Sequence, residues 1–219
     1  HKAKLGIFIH WGVYAVKGVS ESWSFYNKYL PHDEYMKQCE GFTASKYDPK
    51  AWVELIKESG AQYTVLTTKH HDGVALWDTK QNGISVVKNT PAKRDLVTPF
   101  VNEVRKAGLR LGLYYSLPDW SHPDYPNMTR TDVRYKDDPK RWDDFCKFNF
   151  GQLKELNTTY KPDLYWFDGD WEMSAETWRA KEIMELLRST NKDVIVNSRI
   201  TGYGDYATPE QGVPVVRPE

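Results

Sequence analysis

Short apolar runs rich in β-branched and aromatic residues alternate along the chain with longer stretches whose apolar positions recur at helical spacing. The runs predict strands over 5–10, 63–68, 109–115, 164–167 and 194–197, each apolar on both faces as buried parallel strands are. Between them, the stretch 48–59 opens with Asp48-Pro49, brings Trp52, Leu55 and Ile56 onto one stripe and closes at Gly60, as a capped helix does. A second helix is predicted over 96–106, with Phe100, Val101 and Val104 on one face and a stop at Gly108. The stretches 145–156 and 177–187 repeat the arrangement, the latter with Ile183, Leu186 and Leu187 inward. The resulting order, βαβαβαβαβ, implies a parallel sheet covered by helices.

An open doubly wound sheet and a (β/α)8 barrel both fit this order. The unusual residues favour the barrel: His10, the pair His70 and His71, Tyr114, Asp168 and Arg199 each fall at or just after the C-terminal end of a different strand. In a barrel those ends converge on one axial pocket. No Gly-rich phosphate loop follows any strand, so nothing supports a nucleotide-binding sheet. Five strands do not close an eight-stranded barrel, and 219 residues fall short of the roughly 250 a barrel usually takes. Unless 35–39 or 213–216 conceals a further strand, the fold class expected is α/β, a (β/α)8-like TIM barrel that is incomplete or irregular in this chain. The whole of 1–219 is then one barrel domain, truncated at one or both ends.

Composition narrows the function classes. Lys and Arg number 30 against 30 Asp and Glu, so the clustered positive charge of a general nucleic-acid binder is missing. A hydrophobic share of 40% can build a core, yet no stretch approaches the roughly 18 apolar residues of a membrane span. The chain reads as a soluble globular domain. Trp (9) and Tyr (14) outnumber Phe (8), a surplus of rings with a polar handle that suits wet clefts and sugar faces as well as cores. Cys39 and Cys146 sit in no zinc or C-x-x-C spacing and are read as free buried thiols. The chain starts His-Lys-Ala-Lys, with neither Met nor a signal peptide, so its true beginning is expected to be missing. Two glycosylation sequons, at Asn127 and Asn157, are too short to decide anything.

Three tracts carry candidate chemistry. Lys69-His70-His71-Asp72-Gly73 crowds polar groups into one strand terminus, at a cost in core packing. Side chains alternate along a regular strand, so the two imidazoles should point apart, and no paired-ligand spacing supports a metal; hydrogen bonding to sugar hydroxyls explains them better. In Leu164-Tyr-Trp-Phe-Asp168-Gly-Asp170-Trp-Glu172, Asp168 ends a buried aromatic strand, where a carboxylate needs hydrogen bonds or a function, and in a barrel mouth it is a nucleophile candidate. Asp170 and Glu172 lie before a helix and are expected to cap it or face solvent. Arg199, ending Asn197-Ser-Arg, offers a bidentate fork for a carboxylate or sugar hydroxyls, and Glu210 sits on a loop that could reach the same mouth.

The strings Leu5-Gly-Ile-Phe-Ile-His-Trp-Gly12, Glu21-Ser-Trp23, Lys69-His-His-Asp-Gly73, Asn89-Thr-Pro-Ala-Lys-Arg-Asp-Leu96, Gly112-Leu-Tyr-Tyr-Ser116, Trp166-Phe-Asp-Gly169 and Asn197-Ser-Arg199 resemble, in order and spacing, the α-L-fucosidases of glycoside hydrolase family 29. The resemblance runs from Leu5 to about Glu210. It implies an imperfect barrel, in the family usually followed by a β-sandwich, which is expected to be absent from this chain, and hydrolysis of terminal α-L-fucose with retention, without metal or organic cofactor. It also implies an extracytoplasmic protein, secreted or periplasmic, whose partner is a fucosylated oligosaccharide or glycoconjugate rather than a nucleic acid or membrane.

By resemblance, Asp168 is the nucleophile, His10, His70, His71 and Arg199 bind fucose hydroxyls, Tyr114 lies in the same pocket and Trp23 packs on the sugar. Glu210 is the acid/base, with Glu21 and Glu219 as the alternatives, because family members differ in where that residue sits. Trp77, Trp120 and Trp171 could line aglycone subsites, though packing under long loops accounts for them as well. Two competing readings remain: a fucose-binding barrel remnant without a competent acid/base, and a metal-dependent hydrolase built on His70 and His71. An incomplete barrel would also expose sheet edges that favour self-association.

Overall fold

Five parallel strands form the sheet in the computed structural model, which describes residues 3–210. They are β1 (Gly6–Ile9), β2 (Tyr63–Lys69), β3 (Arg110–Ser116), β4 (Leu164–Asp168) and β5 (Ile195–Val196), paired side by side in chain order. A doubly wound sheet reverses its order at a switch point; this one does not reverse, so every crossover falls on the same face, as in a barrel wall. The sheet also curls. Neighbouring strands lie about 4.8 Å apart, which would hold β1 and β4 roughly 14 Å from each other in a flat sheet. Instead the rings of Phe8 on β1 and Trp166 on β4 meet edge to face at 5.2 Å.

Eight α-helices and two single-turn 3-10 helices occur among the described residues. Three short ones, α1 (Trp23–Tyr26), α2 (His32–Met36) and α3 (Gln38–Gly41), fill the first connection before α4 (Pro49–Glu58); α5 (Val86–Asn89) and α6 (Val97–Lys106) follow β2. The longest, α7 (Pro139–Tyr160), follows β3, and α8 (Ala180–Thr190) links β4 to β5. The stretch 35–39 therefore holds helix instead of a hidden strand, and 213–216 lies outside the described residues, as does Glu219. No helix among the described residues is long and apolar enough to cross a membrane.

Capping explains where the helices start. The Asp48 carboxylate accepts from the Ala51 amide and the Asp138 carboxylate from the Arg141 amide, each with Pro at the first helical position. The apolar pattern of α7 begins only at Phe145, because its first turns are solvated and charged, so periodicity alone placed the start six residues late. On α4 the buried positions are Val53 and Ile56, whereas Leu55, expected inward, is 65% exposed.

Alternation along the strands divides the sheet into two unequal faces. Leu111, Leu113 and Tyr115 of β3, with Tyr165 and Phe167 of β4, join the main core under the helices. The opposite face carries Val65, Tyr114 and Leu164, with Phe8, Tyr63 and Trp166 against them. Asp168 continues this inner row at the C-terminal end of β4, in register with Ser116 of β3. Both cysteines are buried and free. Both sequon asparagines are engaged, Asn157 fully buried with its amide donating to Thr190 Oγ1 and Asn127 donating to Glu172.

Candidate active site

The C-terminal ends of all five strands feed one cluster. β1 delivers His10, β2 delivers His70 and His71, β3 delivers Tyr114 and Ser116, β4 delivers Asp168, and the turn after β5 delivers Arg199. Two irregularities make the convergence possible. A register shift between Thr67 and Lys69 puts an extra residue into β2, and the Thr68 hydroxyl donates to the Tyr114 carbonyl there, at 2.6 Å. Beyond it Lys69 points into the helix layer, and the strand ends before His70 and His71. The two imidazoles consequently do not point apart: their centroids are 4.3 Å from each other. At the end of β4, Gly169 adopts φ +83, and a Cβ there would lie 2.3 Å from Pro118, so only glycine lets the two loops close over Asp168.

Asp168 is 9% exposed and sits among donors. The Tyr114 hydroxyl donates to its Oδ2 at 2.9 Å, Arg199 Nη1 donates to its Oδ1, and His71 Nε2 lies 3.5 Å from Oδ2. β5 is only two residues long, yet its neighbour β4 is held up to the site by Asn197, whose buried amide accepts from the Phe167 N–H and donates to the Phe167 carbonyl. Arg199 reaches outward as well: its Nη2 donates to Glu210 and its Nε to Thr208 Oγ1. Asp168 and Glu210 thus share one guanidinium.

The histidines are hydrogen-bonded from behind. His70 Nδ1 lies 2.6 Å from Ser22 Oγ, His71 Nδ1 2.6 Å from Ser116 Oγ, and His10 Nδ1 2.8 Å from the Tyr14 hydroxyl. Burial lowers the pKa of all three: His10 falls below its usual range, His70 far below it, and His71 to about 4 even though Asp168 pulls it upward. Neutral imidazoles, able to donate at one nitrogen and accept at the other, are the form in which hydroxyls are bound. Burial, reinforced by Asp168, pushes the Tyr114 hydroxyl far above its ordinary range, so it remains a donor. His70, His71 and Asp168 bring ligand atoms within 4.8 Å of one another.

Trp23 enters from α1, edge-on to His71 at 5.6 Å and stacked on Trp171 at 6.3 Å. The three tryptophans assigned either to packing or to subsites divide. Trp77 and Trp120 are buried, their indole N–H groups donating to Glu155 and Glu172, while Trp171 is 55% exposed on the rim. Glu21, the other described acid/base alternative, lies 3.9 Å from His10 Nδ1 on a left-handed backbone.

Several supporting residues escaped the sequence reading. Glu172, expected to cap a helix or face solvent, accepts from Trp120 Nε1, the Tyr125 hydroxyl and Asn127 Nδ2 and so pins the loop after Asp168. Asp170 takes the Thr201 hydroxyl. Ser22 and Ser116 gave no signal by residue type, although Ser116 stands two residues after Tyr114 and strand alternation puts both on one face. A cavity of about 750 Å³ opens at the opposite ends of the strands between Gln62, Arg110, Asp163 and Ile195, away from this cluster.

A family model described as alpha-L-fucosidase matches residues 1–218. An alpha-L-fucosidase of Branchiostoma floridae is 34% identical over 93% of this chain and 48% of its own length. The solved alpha-L-fucosidase isoenzyme 1 from Paenibacillus thiaminolyticus superposes with a TM-score of 0.88 at 37% identity, over 96% of this chain and 54% of that one. An alpha-L-fucosidase from Lactobacillus casei, solved with α-L-fucose product, gives 0.81 at 30% identity, over 97% and 73%. The chain spans about half the length of the curated relatives it matches.

Proposed function

The chain belongs to the alpha-L-fucosidase family, and on that premise we propose that it supplies the sugar-holding, nucleophile-bearing part of an enzyme that releases terminal α-L-fucose with retention. The observation that carries this reading is the setting of Asp168: a carboxylate on the inner face of a barrel wall, held by Tyr114 and Arg199 with His71 beside it. An Asp168 oxygen attacks the anomeric carbon as the glycosidic C–O bond breaks, and Glu210 protonates the departing oxygen. Water, deprotonated by Glu210, then cleaves the fucosyl ester and frees Asp168.

That Asp168 and Glu210 flank one guanidinium supports a close pairing of the two carboxyls, and retention uses a separation of roughly 5–5.5 Å. Glu210 must part from Arg199 to meet the leaving oxygen. Neutral His10, His70 and His71 suit the uncharged hydroxyls of the sugar, and the Trp23 and Trp171 rings suit its methyl and apolar face. The Ser20-Glu-Ser-Trp23 and Thr208-Pro-Glu-Gln211 strings resemble those of family members acting on branched α-1,3/1,4-fucosides, which supports such glycans as the substrate and an extracytoplasmic setting for the protein.

The test uses full-length protein and an aryl α-L-fucoside with a good leaving group. Asp168→Ala should lower turnover by about 10³-fold or more, with added azide restoring it and giving the β-fucosyl azide. Glu210→Ala with azide should instead give the α-fucosyl azide. Unchanged turnover in Asp168→Ala would sink the nucleophile role. Fucose binding by wild type without hydrolysis of any fucoside would favour a lectin-like barrel, a reading motivated by the engagement of Glu210 with Arg199.

A further inference from the structure

His71 and Ser116 form a buried pair whose protons can be located by elimination. Ser116 Oγ lies 2.6 Å from the Pro118 carbonyl oxygen and 2.6 Å from His71 Nδ1. A carbonyl oxygen only accepts, so the single hydroxyl proton must point to Pro118; otherwise two lone pairs would face each other at 2.6 Å. With its proton committed, Ser116 can only accept from His71, and Nδ1 must carry hydrogen.

We propose that Ser116 is a positioning residue that holds His71 in the Nδ1–H tautomer, so that Nε2 presents a bare lone pair beside Asp168 for a hydroxyl of the sugar. The geometry around Nε2 fits this assignment. The atom is buried, has no hydrogen-bond partner among the described residues, and faces Asp168 Oδ2 at 3.5 Å. Two acceptors opposed at that distance repel each other until a donor placed beside the pair satisfies one of them, and an uncharged polyol brings one. Turning the ring over would break the Nδ1 contact with Ser116, and Trp120 packs against the ring at 4.5 Å. Trp171, 55% exposed on the rim, stands edge-on to the imidazole at 6.3 Å.

The ligand half of this assignment rests on the fucosidase reading, whereas the tautomer does not. The experiment is long-range proton–nitrogen NMR on full-length protein labelled with 15N-histidine, with His71 identified by the signals missing from His71→Gln. Wild type should show a protonated Nδ1 and an unprotonated Nε2. In Ser116→Ala the population should move toward the Nε2–H form, which can donate to Asp168, and Ser116→Thr should restore the original pattern. Added L-fucose should shift the Nε2 resonance while Nδ1 stays in place. A wild-type ring protonated at Nε2, or an unchanged tautomer in Ser116→Ala, overturns the lock. An Nε2 resonance indifferent to saturating fucose overturns the hydroxyl contact. On aryl fucoside, Ser116→Ala should lose about tenfold in kcat/KM, the worth of one misdirected hydrogen bond. Absence of any hydrolysis by wild type alongside the expected tautomer would defeat the fucosidase reading and leave the lock standing.

Discussion

Tyr114 and Tyr115 are neighbours on β3, both buried, both hydrogen-bonded, and they serve opposite sides of the sheet. Tyr114 donates to Asp168 in the mouth. Tyr115 turns into the helix layer, where its hydroxyl meets Asn149 and Gln152 and accepts from Lys69 Nζ at 3.0 Å. Two polar clusters thus lie back to back across one sheet. The rear one is sealed: Lys69, Tyr115 and Gln152 have no exposed surface, and Asp119 completes it 3.8 Å from the ammonium. In front, Glu210 reaches solvent, Trp171 is exposed and His71 Nε2 has no hydrogen-bond partner among the described residues. Gln152 Nε2 in the rear cluster also lacks a partner among them, but it is sealed from solvent, whereas the unpartnered His71 Nε2 stands beside the mouth, where a ligand can supply one.

The sharpest way to break the rear cluster is Lys69→Met. Burial lowers the ammonium's pKa to about 8, opposed by Asp119 and Asp72, so at neutral pH the group is mostly charged and paired. Removing it strands the Asp119 carboxylate in a sealed pocket, and chemical denaturation should register a loss of about 3 kcal/mol. A variant as stable as wild type would mean that the ammonium does not hold this layer together.

Much of this division could be read from the chain. Five strands, their parallel order and the arrival of His10, His70, His71, Tyr114, Asp168 and Arg199 at one end follow from short apolar runs that stop at polar residues. The rear cluster could not be read that way. Lysines are normally solvated, and the pairing of Lys69 with Asp119 spans 50 positions that only the folded sheet brings together. The direction of His71 was hidden too, because alternation holds only while a strand stays regular, and the extra residue near Thr68 breaks it. Glu172 shows the same limit: a loop carboxylate looks solvated until three donors from a loop some 50 residues earlier are folded onto it.

Acid sharpens the contrast by acting on the front. His71 titrates near 4 when folded, through burial, and near 6.5 when free. Between those values the unfolded chain takes up the proton first, so folding stability falls as pH drops from about 6.5 to 4. Asp72, raised to about 6 by burial, runs the other way, favouring the fold below that pH and losing its contribution as pH rises through it. Comparing His71→Asn with wild type cancels Asp72. The variant should lose less stability between pH 6.5 and pH 4, by on the order of 2 kcal/mol, measured by denaturant midpoints. Equal slopes would mean that His71 is not held neutral.

The smallest effects come from the tyrosine pair, and they test the two-sided reading most directly because the chemical change is identical. Tyr115→Phe removes a hydroxyl from the sealed cluster and leaves Lys69 with one partner fewer. It should cost about 1–2 kcal/mol of stability with kcat/KM unaltered. Tyr114→Phe removes a donor from Asp168. Its fold should change by less than about 1 kcal/mol, since Arg199 still holds the carboxylate, while kcat/KM on an aryl fucoside should fall about tenfold. If both variants lost activity equally at unchanged stability, the rear hydroxyl would be acting through the sheet on the site, and the two clusters would be one network divided only by the backbone that carries them.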